Sequence, residues 1–102
     1  MGLTIEIEQS QNETLVRVAG EVDLYSSPEL RKKLLKTIPS TRCVVAVDLS
    51  DVSYIDSSGV ATLVEGLRSA RENDIRFVLA APSQAVTQVL ELARLDSVFE
   101  VR

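Results

Sequence analysis

The chain has 102 residues, which predicts one domain over residues 1–102, and its 15 acidic and 11 basic residues give a net charge of −4 at pH 7. This acidic balance argues against nucleic acid or an anionic membrane as the main partner. With no histidine and one cysteine, the chain lacks the residues for Ser-His-Asp or Cys-His catalysis and for a zinc site. No apolar run approaches the ~20 residues of a membrane span and no signal peptide is visible, so we expect a cytoplasmic protein.

The first 20 residues predict a β-hairpin. Apolar and polar residues alternate over residues 3–8, which is the period of a half-buried strand. Residues 9–13 are polar and predict a turn. Residues 15–19 predict a second strand that ends at Gly20.

A helix is predicted after the hairpin. Two caps fit its start: Ser27 with Pro28 at the first helical position, or Ser26 with Glu29 completing a capping box. Apolar residues then recur every four positions on one helical face, at Leu30, Leu34 and Ile38. Pro39 is expected to end the helix.

The middle of the chain predicts a buried strand followed by a loop and a second helix. Residues 43–49 are almost all apolar, as in a central strand buried on both faces, and this setting predicts a buried, inert thiol at Cys43. Residues 50–57 are polar and predict a loop. The helix is expected from Ser58 to about Asn73, and its apolar positions have helical spacing: Val60, Leu63, Val64, Leu67 and Ala70.

The last third predicts a strand, a helix and a short edge strand. The strands are residues 75–81 and 98–101, and Phe77 and Phe99 are expected in the core. Pro82 and Ser83 open the helix, whose apolar face comprises Val86, Val89, Leu90 and Ala93. The order β-β-α-β-α-β-α-β predicts an α/β fold: a mixed sheet with an N-terminal hairpin and amphipathic helices packed on it.

The segment Ile55-Asp56-Ser57-Ser58-Gly59 is the strongest candidate site, because loops beyond strand ends carry the sites of α/β sheets. These residues are also ordinary helix-capping residues. In the functional interpretation, the positive helix end stabilises a phosphate esterified to a serine. Asp56 would orient the hydroxyl or repel the phosphate, and Gly59 would let a partner approach.

Enzymatic and metal-binding alternatives are less well supported. The chain has no phosphate-binding glycine loop and no dinucleotide-binding motif. Asp48, Asp51 and Asp56 suggest a magnesium site, but the acidic pair that a receiver-type site places after its first strand is missing. We therefore expect neither a metal nor a cofactor.

Three motifs resemble the STAS family, the sulfate-transporter and anti-sigma-factor-antagonist domain, and its bacterial anti-sigma factor antagonist branch in particular. They are Gly20-Glu21-Val22-Asp23, Asp48-Leu49-Ser50 and Ile55-Asp56-Ser57-Ser58-Gly59, and the resemblance covers essentially the whole chain. It implies a protein that is not an enzyme and that regulates transcription by partner switching. In such proteins the unphosphorylated form binds an anti-sigma factor that is also a serine kinase, which releases a sigma factor. Phosphorylation breaks the complex and a serine phosphatase restores it.

The resemblance also implies roles for individual residues. Ser58, directly before the glycine, matches the phosphoacceptor, and Ser57 is the second candidate. With Tyr25 added because tyrosines are enriched at interfaces, the predicted partner surface comprises Asp23, Tyr25, Asp56, Ser57, Ser58 and Gly59, and the sequence is compatible with a homodimer. The alternative is a STAS subunit that binds and stabilises the ATPase of a lipid-transport ABC complex, without a kinase cycle.

Overall fold

A computed structural model describes residues 2–102, with five strands and three helices in the predicted order. The elements are β1 (Leu3–Gln9), β2 (Glu13–Val22), α1 (Ser27–Thr37), β3 (Val44–Ile55), α2 (Ser57–Glu72), β4 (Arg76–Ala80), α3 (Gln84–Leu92) and β5 (Glu100–Val101). A single 3₁₀ turn, Ile38–Ser40, follows α1 and contains Pro39. The α/β class and the element order are confirmed.

The five strands form one mixed sheet in the order β1-β2-β3-β4-β5. β1 pairs antiparallel with β2, as the predicted hairpin requires, and every other neighbouring pair is parallel. Because β2, β3 and β4 run in the same direction, their C-terminal ends meet at one edge of the sheet. The loops that follow β2 and β3 are therefore neighbours.

The core lies between the helices and one face of the sheet. Alternate residues of β2, β3 and β4 project to this face, and buried apolar side chains from all three helices belong to the same continuous cluster. Phe77 and Phe99 are both buried in it, with ring centroids 6.5 Å apart, as the sequence predicts. On α3, Val86 and Leu90 are buried, whereas Ala93 is exposed and lies just beyond the helix end.

The opposite face of the sheet is covered by ion pairs. Arg102 makes two hydrogen bonds of 2.7 Å to Glu13, and Arg76 pairs with Glu100. Ala46 and Val78 are buried and lie outside the helix-side cluster, because their neighbours in each strand face the helices.

β3 is longer than the sequence predicts. Residues 50–55 continue the strand, so the expected loop over residues 50–57 is wrong for most of its length. The segment pairs with the end of β2, with Val22 opposite Ile55, and the register shifts twice along the pair. Because bulges disturb the two-residue alternation, the buried positions Val52 and Ile55 do not form a recognisable strand pattern in the sequence.

Cys43 is exposed, which contradicts the predicted buried thiol. The strand begins one residue later, at Val44, so Cys43 lies outside the apolar run that the sequence places around it. Of the two predicted caps of α1, Ser26 is the N-cap residue and Ser27 is not, but the Ser26 side chain makes none of the predicted capping hydrogen bonds. Its hydroxyl instead donates to the Glu21 carbonyl at 2.8 Å. Ser27 is buried inside the helix.

Candidate functional site

Asp56 links the end of β2 and the loop that follows it to the start of α2. Its Oδ1 accepts hydrogen bonds from Ser58 N at 2.9 Å and Gly59 N at 3.2 Å, two donors that a helix leaves unpaired at its N-terminus. Its Oδ2 accepts from the Leu24 backbone N–H at 3.2 Å. Its own N–H donates to the Val22 carbonyl at 3.1 Å. One carboxylate therefore caps α2 and fixes the loop that follows β2.

The two candidate phosphoacceptors lie in different environments. The Ser58 hydroxyl donates to Asp56 Oδ1 at 2.5 Å, and the residue is half-buried. Ser57 is exposed, and its hydroxyl has no hydrogen-bond partner among residues 2–102. The structure thus orients the side chain of Ser58 and leaves that of Ser57 free. Of the two roles that the sequence allows Asp56, the geometry favours orienting the unmodified hydroxyl.

Gly59 is buried, and packing alone requires a glycine there. A Cβ atom at this position would lie 2.6 Å from Ile55 Cγ1 and 2.8 Å from Val22 Cγ1, which is closer than Cβ atoms approach other side chains in real structures. The missing side chain would therefore point into the core, not towards an approaching partner. The expected role of Gly59 at a partner surface stays a prediction.

Asp23 organises the loop between β2 and α1. Its Oδ1 accepts from the backbone N–H groups of Tyr25 at 2.9 Å and Ser26 at 3.0 Å, which is the arrangement of an Asx turn. Leu24 and Tyr25, the two residues that follow Asp23 in this turn, are both exposed. Asp23 thus shapes the surface beside the start of α2.

Exposed apolar side chains surround this edge of the sheet. Tyr25 is 89% exposed, Leu24 66% and Tyr54 49%. Tyrosines that can both pack and donate a hydrogen bond are enriched at protein interfaces. The sequence predicts a partner contact at Tyr25 but not at Leu24. Leu24 is an apolar residue in a predicted turn, and this pattern in the sequence could have indicated an exposed contact there.

The pKa of the Asp56 carboxyl lies below its ordinary value. The chief cause is the hydrogen bond from the Ser58 hydroxyl, and the backbone N–H groups of Gly59, Ser58 and Leu24 lower the pKa further, while burial opposes them. A carboxyl whose pKa is lower in the folded than in the unfolded protein stabilises the fold when ionised. That stabilisation is complete above the unfolded pKa and is lost as the pH falls through the folded one.

We expect Asp56→Asn to lower the acid sensitivity of the fold. Asparagine is also a good helix cap, so the substitution removes mainly the charge. The free energy of unfolding of the unchanged protein should exceed that of the variant at pH 7, and the difference should shrink as the pH falls below about 4. Urea unfolding from pH 7 to pH 3 measures both values. A difference that does not change with pH would contradict the proposed role of the charge.

The three aspartates considered as magnesium ligands do not form a metal site in the part of the chain that is described, since residues 2–102 contain no cluster of three potential ligands. Asp48 accepts hydrogen bonds from both the backbone N–H and the hydroxyl of Ser50 instead.

None of the helices described is long and apolar enough to cross a membrane.

Comparison with known proteins gives one family. The STAS domain matches residues 4–102. The anti-sigma-B factor antagonist of Listeria monocytogenes is 29% identical over 103 residues, covering 100% of this chain and 90% of the relative. The crystal structure of an anti-sigma factor antagonist from Mycobacterium paratuberculosis superimposes with a TM-score of 0.87 at 23% identity, over 98% of this chain and 85% of that one. The Bacillus protein SpoIIAA in its phosphorylated form gives a TM-score of 0.75 at 21% identity, over 97% and 91%.

The family match covers nearly the whole chain, so this protein belongs to the STAS domain family. The resemblance inferred from the three sequence motifs is confirmed. The five-stranded mixed sheet and three helices described above superimpose on the solved relatives over nearly all of this chain.

Proposed function

We propose that this protein is an anti-sigma factor antagonist that acts by partner switching. In its unphosphorylated form it binds an anti-sigma factor with serine-kinase activity and thereby releases a sigma factor. The kinase transfers a phosphoryl group from ATP to Ser58 Oγ, and the complex dissociates. A serine phosphatase returns the protein to its binding form. The protein is thus a substrate and ligand rather than an enzyme, and it acts in the cytoplasm with the transcription machinery.

One observation carries this proposal: a serine hydroxyl is held by Asp56 at a helix N-terminus, beside exposed apolar side chains. The hydrogen bond from Ser58 Oγ to Asp56 Oδ1 fixes the hydroxyl at the edge of the surface that Leu24 and Tyr25 form. The names of curated relatives at 29–30% identity agree with this function. The existence of a structure of SpoIIAA in its phosphorylated form agrees with a phosphoacceptor in this family.

Phosphorylation would change the charge of the surface without a large change of the fold. A phosphate adds about −1.5 to −2 charges at pH 7, and the N-terminus of α2 stabilises a negative group there. Phosphorylated Ser58 loses the proton that it donates to Asp56, so the two anionic groups repel each other. When a partner covers this surface, the phosphate must lose its water, which is costly without a compensating cation.

A pull-down from lysate of the host with three baits tests the proposal: the unchanged protein, Ser58→Ala and Ser58→Glu. We expect a kinase-like ATPase to bind Ser58→Ala and to be lost with Ser58→Glu, because the glutamate places a permanent charge at the contact. Mass spectrometry of the unchanged bait should find phosphate on Ser58. Ser57→Ala is the matched control and should leave both results unchanged. A transporter ATPase bound equally by all three baits would contradict partner switching and would indicate the lipid-transport subunit.

A further inference from the structure

A groove between β1 and α1 lies away from the site described above. It has a volume of about 650 Å³ and is open to solvent; Ile7 and Gln9 line its strand side. Ile7 is 38% exposed. The groove reaches Ser40, beyond the C-terminal end of α1, whereas the loop that precedes α1 contacts Asp56. It is therefore separate from the surface that includes Ser58.

β1 is an edge strand whose outer side is open. Between residues 2 and 102, no hydrogen bond other than those of the β1–β2 ladder involves the backbone of Leu3–Gln9. The backbone groups that point away from β2 are thus free to pair with another extended chain. Exposed strand edges are bound in this way when a partner adds a strand to a sheet.

The helix side of the groove is strongly basic although the chain is acidic. Lys32, Lys33 and Lys36 line it and account for three of the 11 basic residues in a chain of net charge −4. Each ion pair within residues 2–102 uses an arginine, so none of these three lysines forms one with a carboxylate of the described chain. Glu29 lines the groove too, at the opposite end of the helix from Lys36. An acidic occupant is therefore favoured towards the Lys36 end.

A second copy of this chain does not fit the groove electrostatically. Glu6 and Glu8 alternate with Ile5 and Ile7 along β1. Pairing two β1 strands edge to edge would bring the glutamates of the two copies together on one face and their lysines together on the other. Like charges on adjacent strands destabilise the pair. The charge pattern favours a different polypeptide.

We propose that the outer edge of β1 and the lysine face of α1 bind an extended, acidic segment of a partner polypeptide by strand addition. The β1 backbone supplies the hydrogen bonds, and Lys32, Lys33 and Lys36 select acidic side chains on the helix side. Because side chains alternate along a strand, a segment with an acidic residue at every second position presents all its carboxylates to the lysines. The non-acidic residues then face Glu6 and Glu8. This surface would give the protein a second contact that is independent of phosphorylation.

An NMR titration tests this proposal with a synthetic acetylated octapeptide of alternating threonine and glutamate. We expect the peptide at millimolar concentration to shift the amide signals of Leu3–Gln9 and of residues 32–36. The same peptide with lysine for glutamate should not. Lys32→Glu/Lys36→Glu should weaken binding about tenfold, since two exposed charge contacts are reversed. The matched control Arg68→Glu/Arg71→Glu changes two exposed residues of α2 by the same total charge and should change the Kd less than twofold.

Several results would overturn the proposal. One is the absence of shifts along β1, and another is equal binding of the acidic and basic peptides. A third is equal loss of binding in the two double variants, which would show only the effect of net charge. Sedimentation over a range of concentrations tests whether a second copy of the chain occupies the edge instead. A dimer in which hydrogen exchange of the β1 amides is slowed would show that a second copy covers it.

Discussion

Ser58→Glu is expected to weaken the complex with the proposed anti-sigma factor several-hundredfold, while Ser58→Ala binds as tightly as the unmodified protein. Ser58 is half-buried and already holds its hydroxyl 2.5 Å from the Asp56 carboxylate. A glutamate places a second negative charge there, and partner binding would remove water from both. A desolvation penalty of ~3–4 kcal/mol corresponds to this loss, because each 1.4 kcal/mol changes an affinity tenfold. Calorimetric titration of the partner identified by the pull-down measures the Kd values.

The neighbouring serine supplies the control. Ser57→Glu adds the same charge one residue earlier, at an exposed position whose hydroxyl makes no hydrogen bond within the described residues. Water can remain around that carboxylate, so we expect less than a tenfold change in Kd. Equal weakening by the two glutamates would show that charge near this edge acts at long range. Unchanged affinity of Ser58→Glu would refute the charge-based switch.

Gly59→Ala is expected to lower the free energy of unfolding by about 1–2 kcal/mol. The added methyl group would lie 2.6 Å from Ile55 Cγ1 and 2.8 Å from Val22 Cγ1, and both side chains are buried and stiff. Overpacking of this kind costs about 1–3 kcal/mol, and the better helix propensity of alanine offsets up to ~1 kcal/mol. The corresponding fall in Tm is about 5–15 °C for a domain of this size. Urea and thermal unfolding measure the change.

Two further variants show whether the clash causes this loss. Gly2→Ala adds a methyl group where no atom lies within 4 Å and should leave stability unchanged. In the double variant Gly59→Ala/Ile55→Ala, the truncated side chain leaves room for the new methyl group. Its destabilisation should therefore be smaller than the sum of the single effects by at least ~0.5 kcal/mol. Strict additivity would mean that the contact with Ile55 does not cause the loss, because the contact with Val22 is present in both variants.

The sequence by itself determines the order of the elements and the location of the candidate site. Periodicity reports which positions are buried, and this is why the hairpin, the central strand and the amphipathic α2 are all recognisable. The segment from Ile55 to Gly59 is contiguous, so the helix cap and the two candidate serines can be recognised in the sequence without knowledge of the fold. The family resemblance depends on the same contiguous motifs.

Only the tertiary structure decides how distant segments meet at that site. The bond from the Leu24 N–H to Asp56 joins residues 32 positions apart, and it exists because β2 and β3 run parallel and end at the same edge. The same pairing extends β3 through its bulges to Ile55. It also places Val22 and Ile55 where they would contact any side chain at position 59. Local patterns record whether a residue is buried or exposed, but the partner of a residue depends on strand register. Register is fixed by the packing of the whole chain.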